Sequence, residues 1–346
     1  VLSVLAAVPR RLVRLAVLLW RLLLDAPTLL WRLLLDAPTS LRRGLTLANL
    51  VGNIVIVVTG GAVRLTGSGL GCPTWPRCTE DSYTTTRAMG VHGVIEFGNR
   101  MLTFVLVLIA GAALLAAWRH ARLRPLALAV VLGIPGQGVV GGFTVLSDLN
   151  PYVVGLHFLL SIAMVGGSYA LWQRTLDPAP AAPATARLRP LTWAVVAAGA
   201  VALAVGVVVT GSGPHAGDEQ ARRTGLDPAM ISQLHVDTVF LLLGLAVATW
   251  FAARAVAAPA LTRRAAILLG VLLGQGAIGF VQYFTGLPEI LVGAHMLGAC
   301  LLWVAALGTV WATGFDAAPR GDGDAVTGSA PTVSSADSVP PLVTVR

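Results

Sequence analysis

The chain has 346 residues, 56% of them hydrophobic and only 12% charged, and 24 basic against 16 acidic side chains give it a net charge of +8. An ordinary soluble domain carries about 25% charged residues, so this chain cannot clothe a water-facing surface of normal extent. A soluble enzyme, a nucleic-acid-binding domain and a disordered scaffold are excluded.

Apolar runs near the ~20 residues that cross a bilayer as a helix make it a polytopic membrane protein. Residues 1–44 form a basic segment, expected to be cytoplasmic or interfacial, in which LLWRLLLDAPT stands twice in tandem at 18–28 and 29–39. Pro27 and Pro38 interrupt it, which favours an amphipathic stretch at the interface over a further span. Eight apolar segments follow: 45–63, 90–117, 126–146, 151–172, 190–210, 229–252, 264–284 and 288–312. Arg119, Arg122 and Arg124 follow the second, Arg174, Arg187 and Arg189 the fourth, and Arg254, Arg263 and Arg264 the sixth. Basic loops face the cytoplasm, so both termini are expected inside and the 65–89 and 211–228 loops outside. The 313–346 tail, rich in Asp, Ser, Pro and Gly, is expected to be disordered.

The chain repeats itself. Thr66-Gly67-Ser68-Gly69 returns as Thr210-Gly211-Ser212-Gly213, VLGIPGQGVVGGF (131–143) is echoed by VLLGQGAIGFVQY (271–283), and Gln137 and His157 recur as Gln275 and His295. Each repeat holds four helices. An even number leaves both copies pointing the same way, related by an axis along the membrane normal. The predicted fold is an all-α integral membrane protein of two pseudo-twofold-related four-helix bundles. Its halves are 45–172 and 190–312, joined by a cytoplasmic linker at 173–189.

Ionisable residues inside a membrane are expensive and mark function. His92, His157, His235 and His295 each lie within about seven residues of an outer helix end, some 10 Å deep at 1.5 Å per residue. They come from corresponding elements of the two repeats. Paired histidines across a four-helix bundle hold haem iron axially; a lone buried histidine is otherwise a hydrogen-bonded packing residue. His92, Glu96 and Arg100 share one helical face. Glu96 and Arg100 form either a self-neutralising buried pair or a group set against a reacting centre. The second reading gains from asymmetry, because Ser232 and Val236 occupy the matching turns of the other half. Arg64, at a helix end, either meets a propionate in a bidentate contact or snorkels to headgroups. Gly136-x-Gly138-x-x-Gly141 lies in an apolar span with no strand before it, so it reads as close helix packing rather than a dinucleotide fingerprint. Pro135 is expected to kink that helix, Gln137 and Gln275 to bond across helices, His120 to be solvated, and His215 to make a loop hydrogen bond.

GGAVRLTGSGLGCPTWPRC (60–78), IEFGNR (95–100), GQGVVGGFTV (136–145), GLHF (155–158), TGSGPHAGD (210–218), QLH (233–235) and GAHM (293–296) together resemble the haem A synthase family. The resemblance implies an eight-helix membrane enzyme that oxidises the C8 methyl group of haem O to the formyl group of haem A, for cytochrome aa3-type oxidases. It implies a haem b cofactor on His235 and His295 in the C-terminal half. The substrate haem would lie in the N-terminal half, with His157 on one side and Glu96 nearby. Haem O handed over by a haem O synthase, an electron donor and the oxidase assembly machinery are the implied partners, in a bacterial cell membrane; a homo-oligomer is compatible. The family reads Glu-x-x-His-Arg on the second helix, where this chain has Glu96-Phe97-Gly98-Asn99-Arg100. Asn99 therefore occupies the expected ligand position. Either His92 substitutes, with the haem shifted outward, or the substrate haem has a single axial histidine. Cys72 and Cys78, close together in an oxidising compartment, read as a disulfide that closes the outer loop, to which the resemblance adds a redox role. Cys300 reads as core packing. The rival readings are a di-haem cytochrome b that only transfers electrons, and a transporter.

Overall fold

A computed structural model of the chain describes residues 28, 31–176 and 180–316. The described residues are all-α, and eight of their helices are long and apolar enough to cross a membrane. They are α1 (Thr39–Leu65), α2 (Gly90–Ala117), α3 (Arg124–Leu146), α4 (Pro151–Thr175), α5 (Arg189–Ser212), α6 (Pro228–Ala255), α7 (Pro259–Phe284) and α8 (Glu289–Trp311). The protein is a multi-pass membrane protein. Most of the tandem duplication, the middle of the 173–189 linker and the tail beyond Asp316 lie outside the described residues.

The predicted spans hold: 90–117 is unchanged, the last span is one residue shorter at each end, and the other ends either stay or move outward by up to six residues. The largest change is α1, which starts at Thr39 and takes in Arg42 and Arg43. Arg43 can enter the helix because its Nε donates to the Thr175 carbonyl at 2.9 Å, at the C-terminal end of α4. Helix α3 runs on through Pro135 without a break. Prolines at the first turns of α3 to α7 cost nothing there, since those N–H groups have no intrahelical acceptor.

Neighbours define two rings. Helix α1 packs on α2, α2 on α3, α3 on α4 and α4 back on α1; α5 to α8 close in the same order. The rings meet along α1 with α8, α4 with α8, and α4 with α5. The core sits at that seam, where Val165 and Tyr169 of α4, Val195 of α5 and Ala306 and Val310 of α8 are fully buried. Polar glue reinforces it in the first ring: Asn49 and Asn53 of α1 donate to the Ser168 hydroxyl of α4 at 3.0 and 3.1 Å.

The end of α1 and the segment after it are latched to the end of α5 and the segment that follows. Gly69 N–H donates to the Gly217 carbonyl at 2.8 Å, and Arg64 donates to the carbonyls of His215 and Thr210 at 2.5 and 2.8 Å. Gly217 has φ +99°, which favours glycine, and Leu149 packs against both partners of the latch. At the opposite face Asp316 is held by Arg174 at 2.6 Å, so the chain is anchored up to the start of the tail.

Candidate functional site

Two capped helix starts set the depth of two histidines. Asn150 accepts from Tyr152 N at 3.0 Å with Pro151 following, and Asp227 accepts from Ala229 N at 2.8 Å with Pro228 following. A capping side chain with proline at the first helical position fixes where each helix begins. His157 is then the seventh residue of α4, His235 the eighth of α6 and His295 the seventh of α8. At 1.5 Å per residue all three lie about 10 Å along from the N-terminal ends of their helices.

Each of these rings lies against a glycine of the preceding helix. A Cβ at Gly141 would come 3.4 Å from His157 Cε1, one at Gly206 3.1 Å from His235 Cε1, and one at Gly279 3.5 Å from His295 Cε1. Each Nδ1 is buried and makes no hydrogen bond. Leaving a buried polar atom unbonded costs about 1–3 kcal/mol, and three such imidazoles at one depth need a reason other than packing. His235 and His295 come from diagonal helices of one ring. That set of donors fits a porphyrin iron held axially.

The fourth position differs. Asn99, the tenth residue of α2, lies over Gly60, whose Cβ would stand 3.8 Å from Asn99 Nδ2. Its Oδ1 accepts from the Thr59 hydroxyl at 2.8 Å. His92 does not share the level of the other histidines, contrary to the reading of four at one depth. It is the third residue of α2 and exposed, and its Nδ1 pairs with the Ser68 hydroxyl at 2.9 Å. The reason is loop docking: Gly71 packs directly on the His92 backbone, where any side chain would collide.

Glu96 is the one carboxylate buried among the described residues, at 5% exposure. Arg100 Nη2 pairs with its Oε1 and the Cys72 N–H donates to its Oε2, both at 2.5 Å. Arg100 also donates to the carbonyls of Cys72 at 3.0 Å and of Thr74 and Arg77 at 3.2 Å. The pair therefore grips the loop closed by the Cys72–Cys78 disulfide, both of whose cysteines are fully buried. Trp75 of that loop lies flat on Gly142 of α3, where a Cβ would run into its ring. The structure thus brings together Glu96, Arg100, Cys72 and Cys78, and sets Arg64 apart from them in the latch between the loops. Sequence reasoning missed Thr59, Trp75 and the four glycines under the ring positions. Only the glycines left a trace, since Gly141 and Gly279 are separated by the same 138 residues as His157 and His295.

Other expectations fare unevenly. His215 makes its loop hydrogen bond, to the Leu287 carbonyl at 2.8 Å, and Cys300 is buried and free. Gln137 does not bond across helices: its Oε1 is buried without a partner, while Gln275 presses on Gly298 of α8. His120 is not fully solvated either. It is half-buried with Nδ1 enclosed, and burial together with the nearby Arg42 guanidinium lowers its pKa from the ordinary value.

Residues 43–217, half of the chain, match the COX15-CtaA family model, described as cytochrome oxidase assembly protein. The chain belongs to the COX15-CtaA family. Within the family match lie Glu96, Arg100, Asn99, His157 and the disulfide; His235 and His295 stand beyond it. A haem A synthase of Geobacillus kaustophilus (strain HTA426) is 32% identical over 124 residues, covering 34% of this chain and 38% of that protein. Another from Listeria welshimeri is 35% identical over 115 residues, 32% of this chain and 37% of its own length. A third, from Geobacillus thermodenitrificans, is 28% identical over 127 residues, 35% and 39% of the two chains. The chain thus spans under two-fifths of the length of these curated relatives.

Proposed function

We propose that the protein is a haem A synthase: it oxidises the C8 methyl group of haem O to the formyl group of haem A, which serves cytochrome oxidase assembly. The observation that carries this reading is an asymmetry inside a repeated frame. Imidazoles with unbonded nitrogens stand over glycines in both rings, while a buried carboxylate stands in only one. Family membership and the names of the relatives point the same way.

In this reading the two rings are halves related by a pseudo-twofold axis along the membrane normal, 45–172 for the substrate and 190–312 for the cofactor. The reciprocal contacts of α1 with α8 and α4 with α5 support it. His235 and His295 hold haem b, which supplies electron transfer when bound. His157 holds the substrate haem O from one face. Glu96 holds a proton or water near the methyl group, and Arg100 keeps the carboxylate in place while tying it to the disulfide loop. Trp75 and that loop cover the ring from outside and limit water. Arg64 joins the halves, its Nε donating to the His215 carbonyl of the loop after α5 and one Nη to the Thr210 carbonyl of α5 itself. Both termini face the cytoplasm of a bacterial cell, with the loops that carry Cys72 and His215 outside. A di-haem electron-transfer cytochrome shares the histidines, but it gives the one-sided Glu96 no task.

Expression in cells that make haem O and no haem A tests the proposal. Extracted haem should include a species with formyl in place of methyl. Haem O alone, under aeration and with both haems bound, contradicts it.

A further inference from the structure

The α2 position of the first ring is equivalent to the ligand position of α6 in placement and unlike it in chemistry. All four ring positions stand on a glycine of the preceding helix: Asn99 on Gly60, His157 on Gly141, His235 on Gly206 and His295 on Gly279. Asn99 is therefore the geometric counterpart of His235. An amide nitrogen has no basic lone pair for iron, and the amide oxygen of Asn99 is taken by Thr59 at 2.8 Å. The Val55 and Ile56 carbonyls of the same helix lie 3.1 and 3.2 Å from the Thr59 hydroxyl and compete for its one proton, the Asn99 contact being the shortest of the three. The side chain is thus held with Oδ1 towards α1.

His92 cannot fill the gap without undoing the outer loop. It lies seven residues before Asn99, about 10 Å along the helix. Its ring is bonded to Ser68, which is bonded in turn to Thr66 at 2.8 Å, and its backbone is covered by Gly71. One turn further in, Glu96 pins the same loop through the Cys72 N–H. Moving His92 inward requires breaking all of these together.

Resting on the haem reading above, we propose that the haem of the N-terminal half is held by one imidazole only, His157, and that the Thr59–Asn99 pair keeps its other axial face open for a small exogenous ligand. The C-terminal haem, by contrast, is closed on both faces by His235 and His295. The first half is then built to admit a diatomic or anionic ligand at iron and the second to refuse one.

Full-length protein titrated with ferric haem until uptake stops gives the test, read by electron paramagnetic resonance and by carbon monoxide binding after reduction. The wild type should show one low-spin and one high-spin signal and bind carbon monoxide at one haem. Asn99→His should convert the high-spin signal to a second low-spin one and abolish carbon monoxide binding, while His92→Ala leaves the wild-type pattern intact. Two low-spin signals in the wild type, one of them lost in His92→Ala, overturn the proposal and assign His92 as the ligand. Should Asn99→His not fold, carbon monoxide binding to the wild type beside His92→Ala decides alone. A protein that takes up no haem at all overturns the haem reading itself, a different result from a wrong ligand.

Discussion

The two rings share a frame and differ in what they place inside it. Around the C-terminal ring position, His235 and His295 stand over Gly206 and Gly279 with unbonded Nδ1 atoms, and no carboxylate is buried among the described residues there. Around the N-terminal position, one imidazole is replaced by an amide held by Thr59, and Glu96, Arg100 and the disulfide loop are added beside it. The scaffold fixes depth and spacing; a few substitutions on α2 decide what each half does. In the proposed reading the ring with paired imidazoles holds the redox group and the ring with Glu96 takes the substrate.

Substitutions that separate the halves test this contrast. The largest effect is expected from His157→Ala, which should abolish retention of the substrate haem and all formyl product while the C-terminal haem keeps its absorption spectrum; loss of both haems together would show the halves are not separate sites. Glu96→Gln comes next. It leaves Arg100 without its counter-charge, at a cost of up to about 3 kcal/mol in stability, and haem O or a hydroxylated intermediate should accumulate in extracts. Haem A alone would remove Glu96 from the chemistry. The smallest effects come from the glycines. Gly206→Ala puts a methyl group 3.1 Å from the His235 ring and should shift the C-terminal haem spectrum with a penalty of about 1–3 kcal/mol. Gly60→Ala meets Asn99 only at 3.8 Å, an ordinary contact, and should leave thermal stability and spectrum unchanged.

Much of this was legible in the sequence. Apolar length gave the eight spans, the repeat gave matched positions for His157 and His295, and the short spacing of Cys72 and Cys78 gave the disulfide. What escaped were contacts with backbone or across long separations. Glu96 takes a backbone N–H from Cys72, a donor every residue carries and no residue type announces. Thr59 and Asn99 meet across two helices, 40 residues apart in the chain. The level of His92 was misjudged because residues within seven positions of a helix end do not share one depth: His92 is the third residue of α2, whereas His157 is the seventh of α4. Gly90 begins α2 just two residues earlier, where the outer loop lands on it. Gln137 was expected to find a partner because its counterpart is polar too, yet repeat equivalence of residue type does not carry equivalence of contacts.

The claim beneath all of this is that imidazoles from alternate helices of the C-terminal ring clasp a porphyrin iron from both sides. Electron paramagnetic resonance of the ferric protein, with His235→Ala and His295→Ala measured separately beside the wild type, examines that directly. Each substitution should erase the low-spin bis-imidazole signal. If that signal survives either one unchanged, the clasp is elsewhere and the account fails.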